Sequence, residues 1–396
     1  MNTENSEPNP LKIPEPDMTG QWAGWSQIDG DPRTFFMTNT EARAPFEVLM
    51  TGINPTLNLR SINFGSIKQS GVEFSGKTWG YHVYDPTTDK IQPFAAFYEQ
   101  HGIKETLPKE ADYTARFDGR KLTGEFKNDN GKTGRFELWR NFSEVFLGVP
   151  PTQPKTLGPL TWDEFKQHVS KYHSRDRVLF RGQHSNRYSL GTSLHRRGRN
   201  NLFRYLTEDI ERLRHQINAI SSHYYQSSGE DLLGLVSLAQ HHGFPTPLLD
   251  WSESPYVAAF FAFDCLTDRR TWLAKEDRDS VRIFTFDRAQ WDQVNRPRAN
   301  TLRDPCPDFQ FTHPPAHNNP RYYPQQSVAA FSTVEDIEGF VVAHEMHEKK
   351  CFLTRIDIHA SEREKVEDEL RFMGITAATL FPGYEGVCQS LSAALF

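Results

Sequence analysis

The chain has 396 residues and a formal net charge of −6 at neutral pH. That length accommodates two domains with substantial cores, and the charge balance excludes a surface built throughout for nucleic acid or anionic membrane. Four scattered cysteines, Cys265, Cys306, Cys351 and Cys388, form no Cys-x-x-Cys pair, which points away from a disulfide framework or zinc knot and toward free thiols in a reducing cytosol.

Residues 1–17 are polar and proline-bearing, and a disordered tail is expected there. The N-terminus lacks a basic-then-apolar signal, and the longest apolar run, Tyr256 to Phe263, is far short of a membrane span. A soluble, cytoplasmic protein with no membrane partner is the expectation. From residue 18 to 147 the texture is all β, with short aromatic and β-branched segments broken by turn signals at Asp29-Gly30, Asp118-Gly119 and Asn128-Asp129-Asn130-Gly131. The clearest segments are Tyr113–Phe117, Lys121–Phe126 and Gly134–Trp139. In the last, Phe136 and Leu138 alternate with Arg135 and Glu137, as a half-buried antiparallel meander requires. A barrel or sandwich is predicted. The triplet Gly20-Gln21-Trp22 resembles the first strand of small calycin-like barrels, although generic turn-and-core usage explains it equally well. A barrel of that kind encloses a small ligand, which the sequence does not name.

Residues 148–159 are expected to be a linker by their proline content, with an α+β domain over 160–396. Thr161-Trp-Asp-Glu164 is a capping box opening a helix to about Tyr172. Arg177–Phe180 reads as a short strand ending at Arg181-Gly182. A helix is predicted from Leu202 to Tyr225, with Leu206, Ile210, Leu213, Ile217 and Ile220 on its apolar face. Another runs from Asp231 to a stop at Gly243. Phe244-Pro245-Thr246-Pro247 breaks it, Leu248–Trp251 is a buried strand or turn, and Ser252 or Ser254 caps an apolar helix over Tyr256–Phe263. Beyond it come a strand at Val281–Phe286, a long loop through His317, and strands at Gly339–Ala343 and Cys351–Ile356. A capping box at Ser361–Glu364 opens one helix, and a final apolar helix starts near Glu385.

The stretch Leu238-Ala-Gln-His-His-Gly-Phe-Pro-Thr-Pro-Leu-Leu-Asp-Trp-Ser-Glu-Ser-Pro-Tyr-Val-Ala-Ala-Phe-Phe-Ala-Phe263, with Phe180-Arg181-Gly182 and Asn319-Pro320-Arg321, resembles the FRG domain, a family named for its Phe/Tyr-Arg-Gly motif. The resemblance covers roughly residues 160–390. A weaker likeness is to ADP-ribosyltransferases of the arginine-serine-glutamate group. It implies Arg181 on the phosphates of NAD and Thr246 to Ser254 with Ala258–Ala262 on the nicotinamide side. That group's late glutamate has no clear counterpart: Gln325 or Gln326 stands where a carboxylate is wanted, and an amide cannot carry the charge that such a transition state uses.

Read as chemistry, Arg181 after a buried strand presents a planar five-donor fork, followed by a glycine that lets backbone approach a ligand. Its partner is a carboxylate or phosphate. A structural ion pair with Asp250 or Glu253 is the competing explanation. His241 and His242 end a helix, where capping explains an imidazole as well as catalysis or metal binding does. His344, Glu345 and His347 do not form His-Glu-x-x-His, and Glu335, Glu338, Glu345 and Glu348 read as a solvated face. Arg196-Arg197-Gly198-Arg199 is the one basic cluster; it is either a solvated loop or part of an anion-binding cleft with Arg181. No metal set is recognisable.

Two functions are carried forward. One is an ADP-ribosyltransferase-like or NAD-consuming effector, a toxin or defence protein with the β domain as sensor or partner-binding module, acting on a protein or nucleic-acid target. Arg181, His241, Asp250 and Gln326 would be its catalytic candidates. Arg181, Gly182, Gln183, Gln240, His242, Thr246, Ser252, Ser254 and Arg321 would hold NAD. The other is a non-catalytic module that binds a nucleotide, an acidic ligand or a protein partner through the same residues.

Overall fold

The computed structural model describes residues 15–41, 44–54, 59–85, 88, 90–102, 108–173, 177–263, 265, 279–296, 301–315 and 319–395; most of the expected N-terminal tail, residues 1–14, lies outside them. The chain divides into two units, Met1–Arg140 and Asn141–Phe396. Alternation in the first unit closes a barrel. Its strands are β1 (Gly20–Ile28), β2 (Thr34–Glu41), β3 (Ala44–Asn54), β4 (Leu59–Ser66), β5 (Lys68–Ser70), β6 (Glu73–Asp85), β7 (Lys90–Pro93), β8 (Glu110–Phe117), β9 (Leu122–Asn128) and β10 (Thr133–Trp139). Eight of them, in the order β4-β3-β2-β1-β10-β9-β8-β6, pair antiparallel and close through a further β4–β6 pairing. The short β5 and β7 pair with β6 beside this circuit. Closure leaves the eight strands no free edge. Successive side chains take opposite sides of the wall, and the inward set gathers Trp22, Val48, Met50, Phe74, Phe117, Leu122, Phe136 and Leu138 in one buried cluster.

The second unit is an α+β fold on a seven-stranded sheet. Its strands are β11 (Lys155–Leu160), β12 (Val178–Gln183), β13 (Leu248–Ser252), β14 (Ser280–Asp287), β15 (Phe309–Thr312), β16 (Ser327–Ser332) and β17 (Leu353–His359), in the order β11-β17-β14-β12-β13-β16-β15. All pairings are antiparallel except β11 with β17. One face is covered by the helices Trp162–Val169, Pro255–Ala262 and Arg363–Phe372, which bury Trp162, Phe165, Phe180, Phe260, Ile283, Ile356 and Val366 together. Thr161 builds the expected capping box, its hydroxyl accepting from Glu164 N.

Several expectations are corrected. Lys155–Leu160, read as linker, is an edge strand; its register breaks between Leu157 and Leu160, around Pro159, and an edge strand tolerates a missing donor. Phe142–Leu147 belongs to the second unit, where the Phe142 ring packs edge-on to Phe340 at 5.2 Å. Gly339–Ala343 lies within the helix Ile337–Glu348, because Asp336 Oδ1 accepts from Gly339 N at 2.9 Å and caps it. A short apolar run does not by itself distinguish strand from helix. The helix predicted over 202–225 is broken by a π-turn at Tyr205–Asp209 and ends at Asn218, leaving Ile220 exposed. The supposed long loop holds the helix Arg288–Val294, capped by Asp287, and strand β15, while residues 316–317 lie outside the described set. At Ser361 a 3-10 turn replaces the capping box, and the Glu362 carboxylate accepts from Trp162 N at 3.0 Å instead. All four cysteines are free thiols. Among the described residues no helix is long and apolar enough to cross a membrane.

Candidate anion-binding site

Strand β12 sets the site by alternation. Phe180 and Gly182 face the helix Pro255–Ala262, and a Cβ at Gly182 would lie 2.0 Å from Ala258 O and 2.6 Å from Ala262 N. The close approach that this glycine permits is therefore made by a helix, not by a ligand. Arg181 and Gln183 take the opposite face, where β14 sets Phe284 beside Arg181 and Arg282 beside Gln183.

Arg181 Nη1 donates to the main-chain carbonyl of Asp250. Its Nε is sealed from solvent and has no hydrogen-bond partner among the described residues. The anticipated side-chain ion pair with Asp250 or Glu253 is not formed. Burial pushes the guanidinium down to about 10, the nearby Asp250 charge pulls it back up, and Arg196 pushes it down further. At neutral pH Arg181 is thus a half-buried cation with its Nε sealed from solvent. Arg196, from the basic cluster, approaches it from the turn His195–Arg197 and donates Nη1 to Gly191 O. It remains partly open to solvent, and burial lowers its pKa as well.

Asp250 is exposed and precisely aimed by a relay. Its Oδ1 accepts from Gln240 Nε2 at 2.6 Å, Gln240 Oε1 accepts from the Thr246 hydroxyl, and that buried hydroxyl accepts from Leu248 N at 3.3 Å. Thr246 N donates to Ser193 Oγ at 3.0 Å, tying the relay to the segment that carries Arg196. Gly243, with φ of +79°, ends the helix Gly229–His241 and turns the chain so that Thr246 can reach back to Gln240. Gln183 donates Nε2 to Ser189 O at 3.4 Å, while its Oε1 is sealed and has no partner among the described residues. Arg181, Asp250, Gln240 and Thr246 are thus linked by hydrogen bonds, while Gln183 is tied to Ser189.

The other candidates do structural work. His241 donates Nδ1–H to Ser237 O at 2.7 Å, leaving Nε2 to accept from Asn319 Nδ2 at 3.2 Å. His242 is the exposed helix C-cap. Ser252 Oγ donates to Gln325 O at 2.8 Å and accepts from Ser254 N, and Ser254 caps the next helix by accepting from Val257 N. Gln326 is exposed at a positive φ of 47°, and its main-chain carbonyl accepts from Glu253 N at 3.1 Å. Arg321 pairs with Glu385 at 2.9 Å over the Phe381 ring.

Sequence reasoning missed the polar pairs on the Arg181 face of the sheet. Glu338, read as solvated, is buried; it takes Arg355 Nε at 2.6 Å and Leu190 N at 2.6 Å, pinning the loop that leads to Arg196. Arg282 and Asp357 pair at 2.7 Å, and Asn186 donates to Asp357 at 3.2 Å. Glu345 accepts from Phe352 N and Leu353 N. The available signal was an arginine inside the apolar run Val281-Arg-Ile-Phe284.

No curated protein matches the chain. Among solved structures it is similar to a redesigned beta barrel, mFAP1, bound to DFHBI, at 12% identity over 31% of this chain and 94% of that one, with a TM-score of 0.21. It is also similar to a de novo designed fluorescence-activating beta barrel, at 13% identity over the same shares and with the same TM-score. At such scores the likeness says nothing of function. A family model described as FRG domain matches residues 176–270, and Arg181, Arg196, Gln240, Thr246 and Asp250 all lie within that FRG-domain span.

Proposed function

We propose that the FRG-domain region binds a phosphate-bearing ligand at Arg181. The observation that carries this reading is a half-buried guanidinium with a sealed, unpartnered Nε, whose only hydrogen bond among the described residues goes to a main-chain carbonyl, with a second arginine close by. A partly buried cation without a bonded counter-ion carries a desolvation cost, and an oxyanion relieves both the charge and the unmade hydrogen bond of the sealed Nε. Asp250, held by Gln240, is the carboxylate whose charge acts on Arg181, against the like charge of Arg196. Electrostatics then favours an anion with a donor group that Asp250 can accept from, as a nucleotide's phosphate and ribose hydroxyls provide.

NAD is a ligand of this class, and NAD consumption or ADP-ribosyl transfer is the finer form of the proposal. It would require a carboxylate to stabilise positive charge on the ribose. Asp250 is the residue whose chemistry suits that role, because Gln326 has none to offer. The test is calorimetric titration of the full chain with pyrophosphate, ADP-ribose and NAD, paired with an assay for released nicotinamide. Binding that disappears in Arg181→Gln supports the reading. Absence of binding by all three to the wild-type chain overturns it, and binding without nicotinamide release removes only the enzymatic form.

A further inference from the structure

We infer that the helix Tyr384–Leu395 is a dimerisation surface, pairing antiparallel with the same helix of a second copy of this chain. The side of the helix that meets its own chain is set by a glycine. A Cβ at Gly386 would lie 2.0 Å from Phe381 O and 2.6 Å from Ala377 O, so the helix is pressed along Gly386 onto the turn of helix that precedes it. Ser390 and Ala393, at helical spacing from Gly386, are half-buried on the same side. The large apolar residues are opposite. At ~100° per residue, Tyr384, Cys388, Leu391 and Leu395 all fall within about 40° of the line opposite Gly386. Tyr384 is 94% exposed, Leu391 55% and Leu395 71%; Cys388 is exposed as well. A surface helix ordinarily turns its apolar stripe to the core and its polar face to water. Here glycine, serine and alanine face the chain and the stripe faces out, which marks an interaction surface.

Two features identify the partner as a second copy. The first is spacing. The steps from Tyr384 to Cys388, Leu391 and Leu395 are four, three and four, the spacing of a coiled-coil seam, and they read the same from either end. An antiparallel two-fold therefore sets Tyr384 against Leu395 of the second copy and Cys388 against its Leu391. One stripe completes the other, as an isologous interface requires. The second feature is charge. Glu385 is the single charged residue in the sequence of the helix, lies to one side of the stripe, and already accepts from Arg321 Nη2 at 2.9 Å. The seam is thus uncharged. Antiparallel pairing also keeps the two Glu385 carboxylates at opposite ends and sets the helix dipoles against each other. The helix has no lysine, arginine or histidine to bring it to phosphate headgroups, which tells against a lipid surface as its occupant.

The test is sedimentation equilibrium of the full chain over a concentration series, with flotation on phosphatidylcholine vesicles alongside. The wild type should sediment as a dimer in reversible exchange with monomer. Leu391→Glu alters an exposed position, so the fold survives, but each copy brings a charge into the apolar seam. It should raise the dissociation constant about a hundredfold or more. Ile220→Glu replaces another exposed apolar side chain, 85% open to solvent and outside the helix, and should remain as dimeric as the wild type. A short bismaleimide should join two wild-type chains and fail on Cys388→Ser. A wild type that stays monomeric throughout, whether or not it floats with the vesicles, overturns the proposal. So does a dimer that Leu391→Glu leaves intact, that Ile220→Glu dissociates, or whose cross-linking does not depend on Cys388.

Discussion

The two faces of strand β12 divide the labour of the second unit. On one, Phe180 and Gly182 press against the helix Pro255–Ala262, in a core of Val257, Phe260, Ile283 and Ile356. On the other, one residue further along each time, are Arg181 and Gln183, with the Arg355–Glu338 and Arg282–Asp357 pairs on the neighbouring strands of the same face. Both faces are buried for much of their extent, yet the second holds a guanidinium, that of Arg181, with no carboxylate bonded to it among the described residues. The polar pairs Arg282–Asp357 and Glu338–Arg355 show how this face handles charge when the purpose is structural: each arginine is met by a carboxylate within hydrogen-bond reach. Arg181 departs from that pattern, and the phosphate site proposed above rests on that departure.

The comparison is broken most severely by removing what supports the charged face. Trp251 is 2% exposed and meets Phe286 and Phe311 edge-on. Trp251→Ala should cost about 3–5 kcal/mol in chemical denaturation, the range for deleting a buried aromatic ring. Glu338→Leu should cost about 3–5 kcal/mol as well, since it strands Arg355 in the interior and frees Leu190 N. Replacing Glu338 and Arg355 together, by Leu and Met, should recover much of that loss. A double variant no better than the single would show that the pair is not the source of the cost.

A smaller effect comes from pH. His195, beside Arg196, is buried with Nδ1 on the Thr192 hydroxyl at 2.9 Å, and burial pushes its pKa down to about 4. The unfolded chain holds this proton below about 6.5 while the folded chain does not. The contribution is therefore fully present above pH ~6.5 and is lost as pH falls toward 4. Denaturant midpoints of the wild type and His195→Asn should converge or cross over that window. Parallel curves would place the acid sensitivity elsewhere.

Much of this was legible in the sequence. Periodicity gave the helix ending at Gly243, and the Ser254-Pro255 cap gave the helix that follows, because these signals are local. The barrel meander was readable from alternation at Phe136 and Leu138, and the Leu238–Phe263 stretch singled out Gln240 and Asp250, which the structure joins by a hydrogen bond. What sequence could not separate was proximity from bonding. The competing explanation for Arg181 was an ion pair with the Asp250 or Glu253 side chain, where the structure uses the Asp250 main-chain carbonyl. Sequence reading also named Gln326 and the two histidines as site candidates; His241 bonds Asn319, and Gln326 and His242 are exposed. Those partners come from segments far apart in the chain, and nothing in local pattern encodes which atom of a residue will meet them. The buried Glu338 was missed for the same reason, since its partner Arg355 lies on a different element.

The most direct measurement is made on Arg181→Lys, with affinity for pyrophosphate and thermal unfolding recorded on the same preparation. Lysine keeps the charge and loses the planar fork, so binding should weaken by about 1–3 kcal/mol, or roughly 5- to 150-fold, while the unfolding midpoint stays near that of the wild type. An Arg181→Lys chain that unfolds as readily as Trp251→Ala, from a wild type that binds no pyrophosphate, would contradict the account and leave Arg181 a residue of the fold.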